Sequence, residues 1–345
     1  MLLPSIIFAA ILVIIGMATS QPRRYWLFGG TAVAIQLLVG FLLADGGTLQ
    51  ALGVLALGWG VPISLVVRGH SRRSVTLATR GLRRALARKL LGPHVSGLIV
   101  QSDNGMLAVG LEDSVVGWKL RKRGAYGLEE VDRLKKYLTA ESKVLIVGAH
   151  IGSLVVPISR ICKQVVAIEA DPDTYRLLTT NLLLNDVSNC RAINIAASDK
   201  AGKLDFLINR ANSGGNKRVP KTKHPMYYSD GSAVISVDAF ALDDYLDDLM
   251  FDLVLMDIEG SEYFALQGMQ KILAHARVLV VEFLPHHLKN VSGVTVEQFL
   301  SVIPPHFRTL TIPSKGLTVD ATDRATALTD MFKHDQADDG IIFTR

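Results

Sequence analysis

Between residues 143 and 283 short apolar runs alternate with amphipathic stretches, and this alternation constrains the fold more than any other feature of the chain. Val144–Val147 passes through Gly148-Ala149-His150-Ile151-Gly152 into a helical pattern. Gln164–Glu169 leads into a helix over 173–185, and Cys190–Ala196 follows. Phe251–Met256 precedes a helix from Ser261 to about His275, and Arg277–Phe283 closes the series. Strands apolar at nearly every position are buried on both faces, and parallel strands need long crossovers, usually helices. The pattern therefore predicts an α/β fold, a doubly wound parallel sheet covered by helices on both faces. Upstream, Leu98–Gln101 and Met106–Val109 flank Asn104-Gly105, a two-residue turn signal that predicts a hairpin. A helix is expected at about 128–139, and Lys203–Ile208 with Val234–Val237 should form a second hairpin. The least regular stretch is 211–232, rich in Gly, Ser, Asn and Lys.

Composition is uneven along the chain. Of its 345 residues 49% are hydrophobic and 20% charged, with a mean hydropathy of +0.30. These values exclude intrinsic disorder and a basic nucleic-acid-binding tail. Residues 1–67 hold only Arg23, Arg24 and Asp45 as charges, a net of +1. Residues 68–90 hold eight basic residues and no acid, which leaves −4 on the remainder of a chain whose formal charge is +5. Three uncharged runs, Leu2–Ala18, Trp26–Ala44 and Leu49–Val67, each approach the ~20 residues that cross a bilayer core. Residues 1–67 are therefore expected to form an α-helical region of three transmembrane spans. No Lys or Arg precedes the first run, which argues against a cleaved signal peptide. Arg68, Arg72 and Arg73 follow the third run, so the positive-inside rule predicts a multi-pass membrane protein with its amino terminus outside and its remainder cytoplasmic.

Residues 72–91 place Val75, Ala78, Leu82 and Leu86 on one helical face and Arg73, Arg80, Arg84 and Arg88 on the other. A basic amphipathic helix beside a span is expected to lie on anionic headgroups, making membrane lipids a partner. The expected organisation is three spans over 1–67, a basic helix and linker over 68–96, and a catalytic domain over 97–345. Cys162 and Cys190 are the only cysteines and form neither a disulfide framework nor a zinc quartet.

In a doubly wound sheet the ligand sits outside the carboxyl ends of the strands. The loop Gly148–Gly152 falls there, with backbone N–H groups of the next helix free to meet a ligand. Twenty-one residues after Gly148, Glu169 ends the second strand, where a carboxylate can accept hydrogen bonds from both hydroxyls of a ribose. Together they point to a nucleoside-bearing cofactor. The loop lacks the third glycine of the dinucleotide fingerprint, which weighs against NAD or FAD. Further on, Asp257-Ile-Glu-Gly-Ser-Glu262 follows the fourth long strand. Its carboxylates could hold a cofactor, a sugar or a metal, or act as general base. Ser261 and Glu262 could equally be capping a helix.

Several blocks stand in order: Val144–Ser153, then Ile168-Glu-Ala-Asp-Pro172 with Asn181 and Asn185, then Ala196-Ala-Ser-Asp-Lys-Ala-Gly202. Leu242-Asp-Asp-Tyr-Leu246, Met256–Glu262 and Val280-Val-Glu282 complete the set. Over about 97–290 the chain resembles the FkbM family of S-adenosylmethionine-dependent methyltransferases, with an added amino-terminal anchor. The resemblance implies a Rossmann-like methyltransferase sheet and S-adenosyl-L-methionine as cofactor. It implies a cofactor site of Gly148, Ala149, His150, Gly152, Glu169 and Ala170, with Asp199 near the adenine and Asp257 near the methionine and the acceptor. His150 stands where the family usually has Asn.

Family members commonly methylate hydroxyls, so the expected activity is O-methylation of a sugar or lipid-linked glycan at the cytoplasmic membrane face. The acceptor proton must be removed, for which Asp257, Glu259 and His286, with its neighbour His287, are the candidates. No metal is expected. Lys217, Arg218, Lys221 and Lys223 could close over a phosphate-bearing acceptor. The competing readings are a non-catalytic membrane-bound scaffold with the same fold and an NAD-dependent enzyme.

Overall fold

The computed structural model describes residues 89–345 apart from 93, 210, 211, 225 and 229–231. Strands β1 (Gly97–Ser102) and β2 (Gly105–Gly110) form the expected antiparallel hairpin. Its turn is Asp103-Asn104 rather than Asn104-Gly105, because Ser102 pairs with Gly105. Asn104 supplies the reason. Its fully buried amide donates to the carbonyls of Tyr126 and Ser153 at 2.6 and 2.8 Å, and its oxygen accepts from Tyr126 N at 2.9 Å. The hairpin tip is thus pinned to the loop that follows β3.

The remaining strands, in chain order, are β3 (Lys143–Val147), β4 (Gln164–Ile168), β5 (Cys190–Ile193), β6 (Ala196–Ala197) and β7 (Gly202–Ile208). After them come β8 (Lys217–Arg218), β9 (Ala233–Phe240), β10 (Leu253–Met256), β11 (Val278–Phe283), β12 (Thr309–Ile312), β13 (Leu317–Asp320) and β14 (Asp338–Thr344). Eight of them form one sheet in the order β13-β12-β14-β11-β10-β3-β4-β5. The five strands from β5 to β11 are parallel, as the apolar runs required. The other three are antiparallel, so the sheet is mixed rather than wholly parallel. A second sheet, β6-β9-β7-β8, contains the second expected hairpin and stands beside the first sheet's carboxyl ends.

Period-two alternation divides the main sheet's two cores. Leu145, Val147, Met256 and Leu279 pack on one face, and Val144, Ile146, Leu255 and Val280 on the other. From β3 the chain moves outward through β4 and β5, then returns to place β10 on the opposite side of β3. The β3–β10 boundary is therefore the switch point at which such sheets bind ligands.

The helix Pro172–Leu184 begins with Pro172 at its first position and Asp171 as its cap, accepting from Asp173 N at 3.1 Å. The helix expected from Ser261 to His275 is two, Glu262–Gln267 and Gln270–His275. Gly268 stands at the break, where a Cβ would lie 2.0 Å from the carbonyl oxygen of Ser198. The close approach of the β6 loop is what interrupts the helix.

Among the described residues no helix is long and apolar enough to cross a membrane. The expectation of a multi-pass membrane protein with a cytoplasmic catalytic domain is corrected to that extent: none of the described helices spans a membrane. The three apolar runs of residues 1–67, and residues 72–88 of the basic helix, lie outside the described residues.

Candidate functional site

A cavity of about 710 Å³ opens over the β3–β10 switch point, inside the roughly 300–1,000 Å³ typical of ligand pockets. Gly148 leaves β3 with φ +89°, and a Cβ there would sit 1.8 Å from the carbonyl oxygen of Asp257. Only glycine allows the loops after β3 and β10 to approach so closely. Gly148 N and Ala149 N both donate to Ile168 O at 2.9 Å, and Gly152 N returns to Ala149 O at 2.9 Å, closing the loop.

Glu169, buried at the end of β4, is held by two backbone donors. His150 N reaches one oxygen at 2.7 Å and Asp171 N the other at 2.9 Å. Burial raises the Glu169 carboxyl to about 7, although these N–H groups favour the charged form. Ser213 Oγ donates to Asp113 Oδ2 at 2.5 Å, so the His150 Nε2 contact to Ser213 Oγ at 2.7 Å is a donation from the ring. Burial holds that imidazole neutral by lowering its pKa. The bond ties residues 213–215 to the glycine loop.

Beside Glu169 the wall becomes apolar, with Ala170, Ile195, Ala196, Ala197, Leu204 and Phe206. Ala170 packs on the small cluster of Ala196, Phe206, Val237 and Ala239. Asp199 does not reach the cavity. It is exposed and accepts from Ser198 Oγ at 3.0 Å, and the wall position expected for it is taken by Ala196 and Ala197.

The other end of the cavity is acidic. Asp257 follows β10, and its surface is exposed to the open cavity. The protein crowded around that recess, then the neighbouring Glu259 and Glu130, push its carboxyl well above the usual carboxylate range. Glu282 of β11 is raised in the same way, by burial and then by Asp257 and Glu259. Across the opening, Glu130 is raised to about 7, mainly by burial, and Tyr126 is also raised. Glu259 sits at φ +54°, a conformation uncommon for a residue with a Cβ. Glu262 is a structural residue. Its Oε1 accepts from Ile258 N and Gly260 N at 3.1 Å each and fixes the turn.

Two cavity groups carried no individual signal in the sequence. Ser261 has the position of a helix cap, yet its hydroxyl caps nothing; buried at the wall, its Oγ has no hydrogen-bond partner. Glu282 stood in a recognisable block with no role attached to it.

Of the histidine pair, His286 lies away from the cavity wall, its ring stacked near Tyr227 at 6.3 Å. His287 is the one that approaches Glu259, with Nδ1 3.3 Å from Oε2. The four cations of the 211–232 loop do not line the cavity either. Lys217 is buried against Glu259 at 2.8 Å, and Arg218 lies 4.0 Å over the Phe264 ring. Lys221 and Lys223 are exposed, so these four cations do not close over an acceptor in this structure.

A glycine loop at a switch point, an acid at the next strand end and a third strand end rich in carboxylates thus surround one cavity. Residues 147–304 match the family model of the methyltransferase FkbM domain. Among solved structures the chain is similar to a methyltransferase FkbM from Methylobacillus flagellatus, at 21% identity and TM-score 0.35, covering 60% of this chain and 44% of that one. It is also similar to an rRNA methylase from Streptococcus thermophilus, at 14% identity and TM-score 0.33, covering 53% and 81%. A tRNA m1G37 methyltransferase from M. jannaschii matches at 16% and TM-score 0.31, covering 55% and 45%. The chain thus spans less than half of the Methylobacillus protein, and likenesses of this size say nothing about substrate. No curated protein matches the chain.

Proposed function

We propose that the chain is an S-adenosylmethionine-dependent O-methyltransferase whose acceptor is a polyhydroxylated, sugar-like molecule. The observation that carries this reading is the continuity of the cavity. One space joins the Glu169 wall to the carboxylates after β10. The residues present fit the cofactor. An apolar slot of Ile195, Ala197, Leu204 and Phe206 suits an adenine, Glu169 suits ribose hydroxyls, and the orphaned Ser261 Oγ offers a hydrogen bond. When bound, the cofactor supplies an electrophilic methyl group on a sulfonium.

The chain's own residues must then align an acceptor oxygen and take its proton. Glu259 is the base in this reading, since it lines the cavity and its carboxylate is ion-paired. Asp257 and Glu282 are raised by desolvation and by neighbouring carboxylates, Glu259 for the first and Asp257 for the second, which favours their protonated, hydrogen-bond-donating forms. Asn212, Ser213 and Asn216 on the remaining wall supply the uncharged polar contacts that a sugar needs.

The test is calorimetric titration of the full chain with S-adenosylmethionine, with NAD as the control. S-adenosylmethionine is expected to bind and NAD not to, and Glu169→Ala should weaken binding at least tenfold, about 1.4 kcal/mol. No heat with S-adenosylmethionine, or equal affinity for NAD, would sink the reading.

A further inference from the structure

The loop after β7 places one buried cation behind Glu259, a carboxylate at the acidic end of the cavity. Lys217 lies on β8, held to β7 by the pairing of Leu207 with Lys217 and of Phe206 with Arg218. Its Nζ reaches Glu259 Oε2 at 2.8 Å and His287 Nε2 at 3.1 Å, with the Tyr227 ring 5.5 Å away. The three side chains retain 8%, 18% and 5% of their exposure, so this is a buried ion pair with an imidazole attached. A buried ammonium is costly unless its partners are well placed, and these three come from parts of the chain 42 and 70 residues apart.

An ammonium has three donors and no acceptor. The contact at His287 Nε2 therefore needs that nitrogen's lone pair. Burial, Lys217 and His286 press the ring down to about 2, so it is neutral and carries its single proton on Nδ1. Nδ1 has no hydrogen-bond partner of good geometry and faces Glu259 Oε2 at 3.3 Å. Lysine and histidine thus both converge on Oε2, and Oε1 is the oxygen left for a ligand.

The same geometry decides a competing use of the cluster. Glu259, Glu282 and His287 present atoms within 4.8 Å of one another, close enough to hold a metal ion. A metal at Nδ1 would force the proton onto Nε2, where it would confront the lysine ammonium, donor against donor, at 3.1 Å. The cation of this cluster is Lys217 itself.

We infer that Lys217 is a positioning residue of the acceptor end, bridging Glu259 and His287 so that the imidazole is locked as its Nδ1–H tautomer and the Glu259 carboxylate is fixed by one oxygen. The use of Glu259 as a base rests on the proposed function; the bridge and the tautomer do not.

The experiment is nitrogen NMR on the full chain labelled with ¹⁵N-histidine, with His287 assigned from the spectrum of His287→Gln. At pH 7 the wild type should show His287 as the Nδ1–H tautomer, and this spectrum needs no variant to fold. Lys217→Met should move the ring to the Nε2–H form usual for free histidine, and Lys217→Arg, which also only donates, should restore Nδ1–H. An Nε2–H signal in the wild type, or an unchanged tautomer in a folded Lys217→Met, overturns the inference. So does stoichiometric binding of Mn²⁺ seen by electron paramagnetic resonance, which should be absent. Failure of the wild type to bind S-adenosylmethionine would remove the methyltransferase reading and leave the tautomer result standing.

Discussion

Burial and hydrogen bonding pull the proton of Glu169 in opposite directions. It accepts two backbone N–H groups, and the proposed ribose contact would likewise need it ionised, while burial raises it to about 7. Cofactor affinity should therefore tighten as pH rises from 6 to 8, because more of the carboxyl is ionised to receive hydroxyl donors. Isothermal titration at several pH values checks this, and Glu169→Gln should abolish the pH dependence. A wild-type dissociation constant that stays level across that range would remove Glu169 from cofactor binding. Glu169 and Gly148 were legible in the sequence because their roles depend on position along a strand–loop–helix unit. Lys217 and Ser261 were not. What they do depends on which distant residues approach them, and a lysine in a polar loop reads as solvated until Glu259 is found beside it.

The elements show the same division. Asn181 sits on the inner face of the helix Pro172–Leu184 with no exposure. Its oxygen accepts from Ala108 N at 2.6 Å, and its amide donates to Ala108 O at 3.1 Å and Ile151 O at 2.7 Å. One turn on, Asn185 bonds Met106 N and O at 3.0 and 2.7 Å. The two amides thus substitute for a neighbouring strand along β2. Asn181→Leu would leave three buried backbone groups unpaired, at roughly 1–3 kcal/mol each. A loss of a few kcal/mol in denaturant unfolding is expected, and a loss below about 1 kcal/mol would show that this clip is dispensable. The five parallel strands could be read from their continuous apolar runs. The antiparallel strands β12 to β14 could not, because their short and partly polar runs acquire meaning only beside β11.

For the whole domain, the acids around the cavity set a pH signature. Glu130, Glu169 and Glu262 are raised to about 7, and Asp257 and Glu282 are raised well above their ordinary values. A carboxyl raised on folding contributes stability below its unfolded value, about 4, and loses it as pH climbs through the folded value. The lowered histidines His150, His286 and His287 act oppositely, but only below about pH 6.5. The melting temperature should therefore fall from pH 6.5 to about 7.5, as the carboxyls with folded midpoints near 7 finish ionising, since each loses about 1.4 kcal/mol for every pH unit between its unfolded and folded titration midpoints. Differential scanning calorimetry measures it, and a flat or rising curve would contradict the arrangement of these carboxyls.

Strand β14 follows every other strand of its sheet in the chain, yet it lies between β11 and β12. During synthesis the sheet therefore waits in two pieces, each with a bare hydrogen-bonding edge, until residues 338–344 leave the ribosome. Until then β11, with Val278 to Val281 buried in the finished domain, is an open template for any other extended chain. Until β14 emerges, those two edges stay open to pairing with other chains.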